Sequence, residues 1–176
     1  MENDKNSQKV SYLRFFGMIG SSMVIMYLLM YLNSAQVLDH AWFSETRLFM
    51  TTIMGSSMMA VMMFFMLDMY KNRKANIAIF IGAGLLLLLS VWLVRSQITV
   101  DGIDYMEGMI PHHSIAILTS DRAGIEDVRV RELANEIIDA QQCEIKEMEW
   151  LIEDIRANGS VDTEAGKNGR AVPDFC

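Results

Sequence analysis

The chain has 176 residues, of which 52% are hydrophobic, and its formal net charge is −7. A net negative charge argues against the basic surface that nucleic-acid binding requires, so we expect no nucleic-acid partner. The apolar residues are concentrated before Arg95 and the acidic residues follow it, which predicts a membrane part and then a water-facing part.

The membrane part contains three apolar runs without any charge, at residues 15–38, 48–67 and 75–94. Each run is about 20 residues long or longer, which is the length that a helix needs to cross a hydrocarbon core of ~30 Å. The runs predict transmembrane helices at about 12–33, 48–69 and 75–95, within an anchor over residues 11–96. The first run is too long for the apolar region of a signal peptide, so we interpret it as a retained span.

The orientation in the membrane follows from the basic residues in short loops. Those that precede the first span and follow the second are Lys5, Lys9, Arg14, Lys71, Arg73 and Lys74. The loop between these two spans has one basic residue, Arg47, against Asp39 and Glu45. We therefore expect a cytoplasmic tail at residues 1–10 in a bacterial inner membrane. The domain after the third span is then periplasmic or extracellular.

Two helices are predicted after the third span, at about 101–121 and 126–157, within an external domain over residues 97–157. Pro111 lies inside the first helix, where it either kinks the helix or starts its second half. The residues from 158 to 176 include Gly, Ser, Asn and Pro, and they predict an irregular tail.

The second of these helices has a strong apolar stripe. Its members are Val130, Leu133, Ala134, Ile137, Ile145, Met148, Leu151, Ile152 and Ile155. Gln141 and Glu144 fall inside the stripe, whereas Cys143 falls on the solvent side. Two helices alone leave such a stripe uncovered, so they need a partner. Dimerisation into a four-helix bundle is the simplest solution, and contact with the membrane part is the alternative.

The first external helix holds methionine and histidine side chains at helical spacing. Met109 lies three residues before His112 and four before His113, and Met106 lies seven before His113. These spacings put thioether and imidazole groups on adjoining parts of one face. Such a donor set suits Cu(I), and Ag(I) by the same logic, better than Mg²⁺, Ca²⁺ or zinc.

The stripe of the second helix offers Met148 as a further thioether, beside Gln141 and Glu144. Burial of these two polar side chains is costly unless they find partners. Either could hold the second ring nitrogen of a histidine ligand, which is the usual arrangement around a metal.

Each of these features also has a purely structural interpretation. A methionine on an apolar face is more often core than ligand, and a pair of adjacent histidines is often polar surface. The many methionines of the first two spans fit an apolar filler better than a track for Cu(I). His40, close to Trp42, fits a membrane interface better than a metal site. Cys143 and Cys176 can pair with each other or between chains, and the sequence does not decide this.

The external helices resemble the bacterial family called domain of unknown function 305. The matching residues are Met109-Ile110-Pro111-His112-His113-x-x-Ala116, then Ala134, Ala140-Gln141, Glu144-Ile145, Met148 and Trp150-Leu151. The resemblance covers residues 101–155. The three spans, including Asp39-His40 and the segment 43–47, resemble the membrane-anchored branch of the family.

The resemblance implies a ferritin-like helical bundle and, as in some exported members, copper binding and a link to copper tolerance. It makes Met109, His112, His113 and Met148 the ligand candidates. The chain has Leu118-Thr119 where the family often has a Met-Ala pair. If that methionine is a ligand elsewhere, this site has one thioether fewer.

We therefore expect an all-α, membrane-anchored and homodimeric protein that binds Cu(I) for tolerance or delivery and is not an enzyme. Met109, His112, His113 and Met148 are the expected ligands, and Met106, Gln141 and Glu144 are the expected additional or supporting groups. The alternative is a structural or interaction module of the cell envelope in which the two histidines are incidental. An enzyme with His112 as general base is a weaker third hypothesis.

Overall fold

The computed structural model of the chain describes residues 2–32, 34–36 and 39–176. Its described elements are α1 (Glu2–Leu29), α2 (Glu45–Phe65), α3 (Arg73–Ser96), α4 (Gly102–Arg122), α5 (Val128–Asn158) and α6 (Glu164–Gly169). The predicted all-α class is therefore confirmed. The helices belong to two compact units, which we call the membrane unit (up to Met30, and Thr46–Thr99) and the hairpin unit (Tyr31–Glu45 and Val100–Cys176).

The membrane unit contains the three helices that the apolar runs predict. Within α1 the stretch Ser11–Leu29 is long and apolar enough to cross a membrane, and so are α2 and α3 over their full lengths. The bounds differ from the prediction at several helix ends. Helix α1 begins at Glu2, so most of the tail predicted at residues 1–10 is helical, and it ends at Leu29, before the predicted end at residue 33, which lies outside the described residues. Helix α2 ends at Phe65 instead of residue 69, because the next residues form turns.

A polar contact ties the helices of the membrane unit together at one end. The hydroxyl of Tyr12 in α1 donates to Asn76 Oδ1 in α3 at 2.7 Å, and Asn76 Nδ2 donates to the carbonyl of Tyr70 at 2.8 Å. Asn76 and Tyr70 are both buried, and these bonds satisfy the polar groups of the Asn76 side chain. Beside them Phe15, Ile19 and Met63 form the apolar core of this unit.

The hairpin unit is built on α4 and α5, which form where the sequence predicts two helices. Asp101 caps α4, because its side chain accepts from the backbone N–H groups of Ile103 and Asp104. In turn, the side chain of Asp104 accepts from the backbone N–H of Asp101. Asp127 caps α5 by accepting from the backbone of Arg129. Helix α4 continues through Pro111, which is buried within it, so the proline does not divide the helix.

The core between α4 and α5 includes a third segment that comes from between the first two spans. Met106, Ile110, Ile145, Met148 and Ile152 are the buried residues, and Trp42 packs against them. We call the segment Tyr31–Glu45, which carries Trp42, the inter-span loop. The guanidinium of Arg156 lies 5.7 Å from the centre of the Trp42 ring. Part of the hairpin is thus covered by a loop of the same chain.

Hydrogen bonds and a close backbone contact fix the inter-span loop to α4. The hydroxyl of Ser114 lies 2.8 Å from His40 Nδ1 and accepts from the backbone N–H of Ala35 at 2.8 Å. Ser44 lies against Gly108, where a Cβ atom would come within 3.1 Å of the Ser44 hydroxyl. A larger residue at position 108 would push the loop away from α4.

The C-terminal tail, predicted as irregular over residues 158–176, has no regular secondary structure after Asn158 apart from one short helix, and it is attached to α5. A disulfide joins Cys143 in α5 to Cys176, and the two Cα atoms are 5.6 Å apart. Arg170 forms an ion pair with Asp154 and donates to the carbonyl of Gly159. The tail therefore folds back along α5 and includes the short helix α6.

We predict that Trp42→Ala weakens the hairpin unit, because it removes the largest side chain that the loop contributes to the core. The expected loss is about 2 kcal/mol of local stability, which makes amide exchange in α4 and α5 roughly 30-fold faster. Hydrogen exchange of the full chain in detergent measures it. The control is Phe43→Ala, since the Phe43 side chain is 56% exposed. Equal effects of the two variants would contradict a role of Trp42 in the core.

Candidate metal-binding site

An open groove runs between α4 and α5 and collects most of the predicted donors. Among the residues that line it are Met106, Met109 and His113 from α4, and Glu144 and Met148 from α5. We call it the methionine groove. Five of the seven side chains that the sequence selects therefore lie along one groove.

The thioethers of the groove are held by the core of the hairpin unit. Met106 and Met148 are 7% and 9% exposed, and Met109 is half-buried against the same cluster. The spacing of Met106, Met109 and His113 along α4 puts them on one face, as the sequence predicts. Thioether sulfur is a soft, uncharged donor, so the groove offers soft ligands in a largely apolar setting.

His113 is the imidazole of the groove. Its side chain is 12% exposed, and its Nδ1 lies 3.3 Å from Glu144 Oε2. The two atoms are not aligned as a hydrogen bond, and Nδ1 has no hydrogen-bond partner among the described residues. Burial lowers the pKa of His113, the Glu144 charge partly opposes this, and His112 adds to the lowering. The neutral imidazole, which is the form that binds metals, is therefore favoured.

His112 and Gln141 do not line the groove. His112 is exposed, and its ring centre lies 6.0 Å from that of His113. Gln141 is half-buried, and its amide oxygen has no hydrogen-bond partner among the described residues. Glu144 is 52% exposed, although the stripe pattern placed it on the buried face, because it lies at the edge of the stripe where its charge stays hydrated.

His40, which the sequence places at a membrane interface, is buried in the hairpin unit. It is 8% exposed and contacts Ser114. The Ser114 side chain is fully buried and directly follows His113 in the sequence. Sequence reasoning also missed Ser114 and the core position of Trp42. No local pattern connects these residues, since 74 positions separate His40 from Ser114.

The donors of the methionine groove differ from those of a site built only of His, Cys, Asp and Glu. Within the described part of the chain, no group of three or more such side chains is placed to hold a metal ion. The methionine groove instead combines three thioethers and one imidazole with the carboxylates of Glu144 and Glu147.

Comparison with known proteins places the hairpin unit in a family context. Residues 102–174 match the family model described as "Domain of unknown function (DUF305)". An uncharacterized protein of Acanthamoeba polyphaga mimivirus is 36% identical over 78 residues, which cover 43% of this chain and 51% of that protein. The chain thus spans about half the length of this curated relative. No solved structure matches the chain.

We predict opposite pKa changes at His113 in two variants. Glu144→Gln removes the charge that raises this pKa, so the pKa falls further below its ordinary value of 6.5. His112→Gln removes a neighbouring imidazole that lowers it, so the pKa rises. An NMR titration of the His113 ring in the full chain measures both. Shifts in the same direction would contradict this account of the site.

Proposed function

We propose that this chain is a membrane-anchored protein that binds a soft metal ion. Its residues 102–174 belong to the domain of unknown function 305 family. The preferred ion is Cu(I), with Ag(I) as a second. The ion is cargo that the protein holds for metal tolerance or delivery, and we expect no enzymatic reaction.

The observation that carries the proposal is the donor set of the methionine groove. Met106, Met109 and Met148 offer thioether sulfur in the same groove as His113, an imidazole that burial keeps neutral. A groove whose purpose was packing alone would gain nothing from an imidazole nitrogen that is buried without a hydrogen bond. Because Nδ1 lies beside the Glu144 carboxylate, the other ring nitrogen, Nε2, is the one that would bind the ion.

Glu144 gives the histidine a preferred tautomer. Its carboxylate lies beside Nδ1 of His113, so it favours the form with the proton on Nδ1 and leaves the lone pair on Nε2. Because a proton competes with the metal for that lone pair, binding weakens at acidic pH. The lowered pKa of His113 moves this loss to a lower pH than an exposed histidine would show.

The anchor and the disulfide support a proposed location in the cell. Basic residues lie in the N-terminal part of α1 and follow α2, which favours a cytoplasmic N-terminus, and after three spans the hairpin unit would then lie outside. The Cys143–Cys176 disulfide fits this side, since such bonds persist in oxidising compartments. We propose a bacterial inner membrane with the groove on its outer face.

A second candidate function is a structural or interaction module of the cell envelope. The observation that favours it is the apolar stripe of α5, whose first half leaves Val130, Leu133 and Ile137 exposed. Under this hypothesis the histidines are incidental. The two functions differ in what substitution of His113 does to metal binding.

We predict that the full chain in detergent or lipid nanodiscs binds Cu(I) tightly in an anaerobic titration against a competing chelator. His113→Ala removes a proposed direct ligand of the metal. It should therefore lower the affinity by more than the roughly 10- to 100-fold that is lost with a residue that only hydrogen-bonds a ligand. Met148→Leu should also lower it, because leucine conserves the side-chain volume and removes the thioether.

The matched control is His112→Ala, which changes the same residue type one position along α4. Its exposed ring does not line the groove, so we expect a much smaller effect, and the double histidine variant should behave like His113→Ala. Absence of Cu(I) binding by the unmodified chain would leave the interaction module as the function.

A further inference from the structure

The α4–α5 hairpin has a covered side and an open side. The inter-span loop covers one side through Trp42 and its bonds to Ser114. On the other side, the exposed residues Val130, Leu133 and Ile137 of α5 follow one another at three- and four-residue steps. This α5 seam, as we call these three residues, leads along the helix toward Met148 and the methionine groove.

We propose that a second copy of this chain covers the open side in an isologous pair and that each copy closes the methionine groove of the other. The second part of the proposal rests on the proposed metal function, whereas the pairing does not.

Charge complementarity identifies the occupant as a second copy. Eighteen residues, which is five helical turns, separate Arg129 from Glu147, so both lie on the same rim of α5. Their midpoint lies next to Ile137 in the seam. A two-fold axis at that point sets Arg129 of each copy opposite Glu147 of the other. An isologous interface requires that every such contact occurs twice, with the two copies exchanged. The Arg129 side chain is 89% exposed and pairs with Asp127 of its own chain, so Glu147 of the second copy would be a second carboxylate at the same guanidinium.

The same axis carries the seam of one copy over the groove of the other. In antiparallel α5 helices that cross at this midpoint, Val130 and Leu133 of each copy lie level with residues 143–146 of the other, which include Glu144 of the groove. The groove is open in one copy, and Nδ1 of His113 lacks a hydrogen bond among the described residues. Apolar side chains from a second copy would exclude water from the thioethers.

The pairing is tested first without metal, on the full chain in detergent treated with a chelator. Multi-angle light scattering should give the mass of two chains, and Leu133→Glu with Ile137→Glu should give one, because two charges cannot be buried unpaired in the seam. Asn135→Glu is the control, since Asn135 is exposed on another side of α5, and the pair should persist. One chain without any substitution would overturn the proposal and leave the open side to a different occupant.

Charge reversal tests the register independently of side-chain burial. Arg129→Glu alone and Glu147→Arg alone should each weaken the pair, because they set like charges against each other. The two substitutions together should restore it. If the double variant were as weak as the single ones, the antiparallel arrangement would be overturned. The seam residues are at least 36% exposed, so the variants should keep the helical content of the chain, which circular dichroism checks.

The closing of the groove is tested by Ag(I) titration of the same samples. The variant with Leu133→Glu and Ile137→Glu should bind Ag(I) at least about 10-fold more weakly than the Asn135→Glu control, because its groove stays open to water. Equal affinity in one-chain and two-chain samples would overturn the closing. A two-chain protein that binds no Ag(I) would sustain the pairing and overturn the metal function.

Discussion

Two helices packed side by side bury only the strip between them. The hairpin unit therefore depends on additional contacts from elsewhere in the chain. The strip between α4 and α5 holds five buried residues, which is little for a stable domain. The inter-span loop adds Trp42 to this core and gives Ser114 two polar partners. A loop between two membrane spans thereby becomes the third layer of a domain that begins after the third span, and the helices of the hairpin can keep their other side open.

The division of α4 into two faces follows from this arrangement. One face carries Gly108 and Ser114 and is shaped to receive the loop. Gly108 leaves room for Ser44, and the hydroxyl of Ser114 accepts a hydrogen bond from the backbone of the loop. The other face carries Met106, Met109 and His113 and lines the groove. The consecutive residues His113 and Ser114 thus serve different neighbours. Loss of the loop would reach the groove through α4, although the loop contributes none of the proposed donors.

Those parts of the molecule that local patterns encode could be predicted from the sequence. Apolar runs predicted the three spans, and helical periodicity predicted α4, α5 and the common face of Met106, Met109 and His113. Contacts between distant residues could not be predicted, because nothing near His40 signals Ser114 and nothing near Cys143 selects Cys176. Helix periodicity also predicts the direction in which a side chain points, but it does not predict how deeply that side chain is buried. Glu144 and His112 both fell near the apolar face by angle, yet each reaches solvent in the packed hairpin.

The membrane anchor lowers the strength that the α5 seam needs. Three partly exposed apolar side chains would hold two soluble proteins together only weakly, since association must first offset the loss of translational and rotational freedom. Anchored chains have already lost part of that freedom: the bilayer confines them to a plane and presents every hairpin unit from the same side. Confinement raises the effective concentration of one copy near another, as a short linker does between two binding modules. Under the proposed metal function, a pair that forms and separates readily would open its groove for loading and close it over the ion.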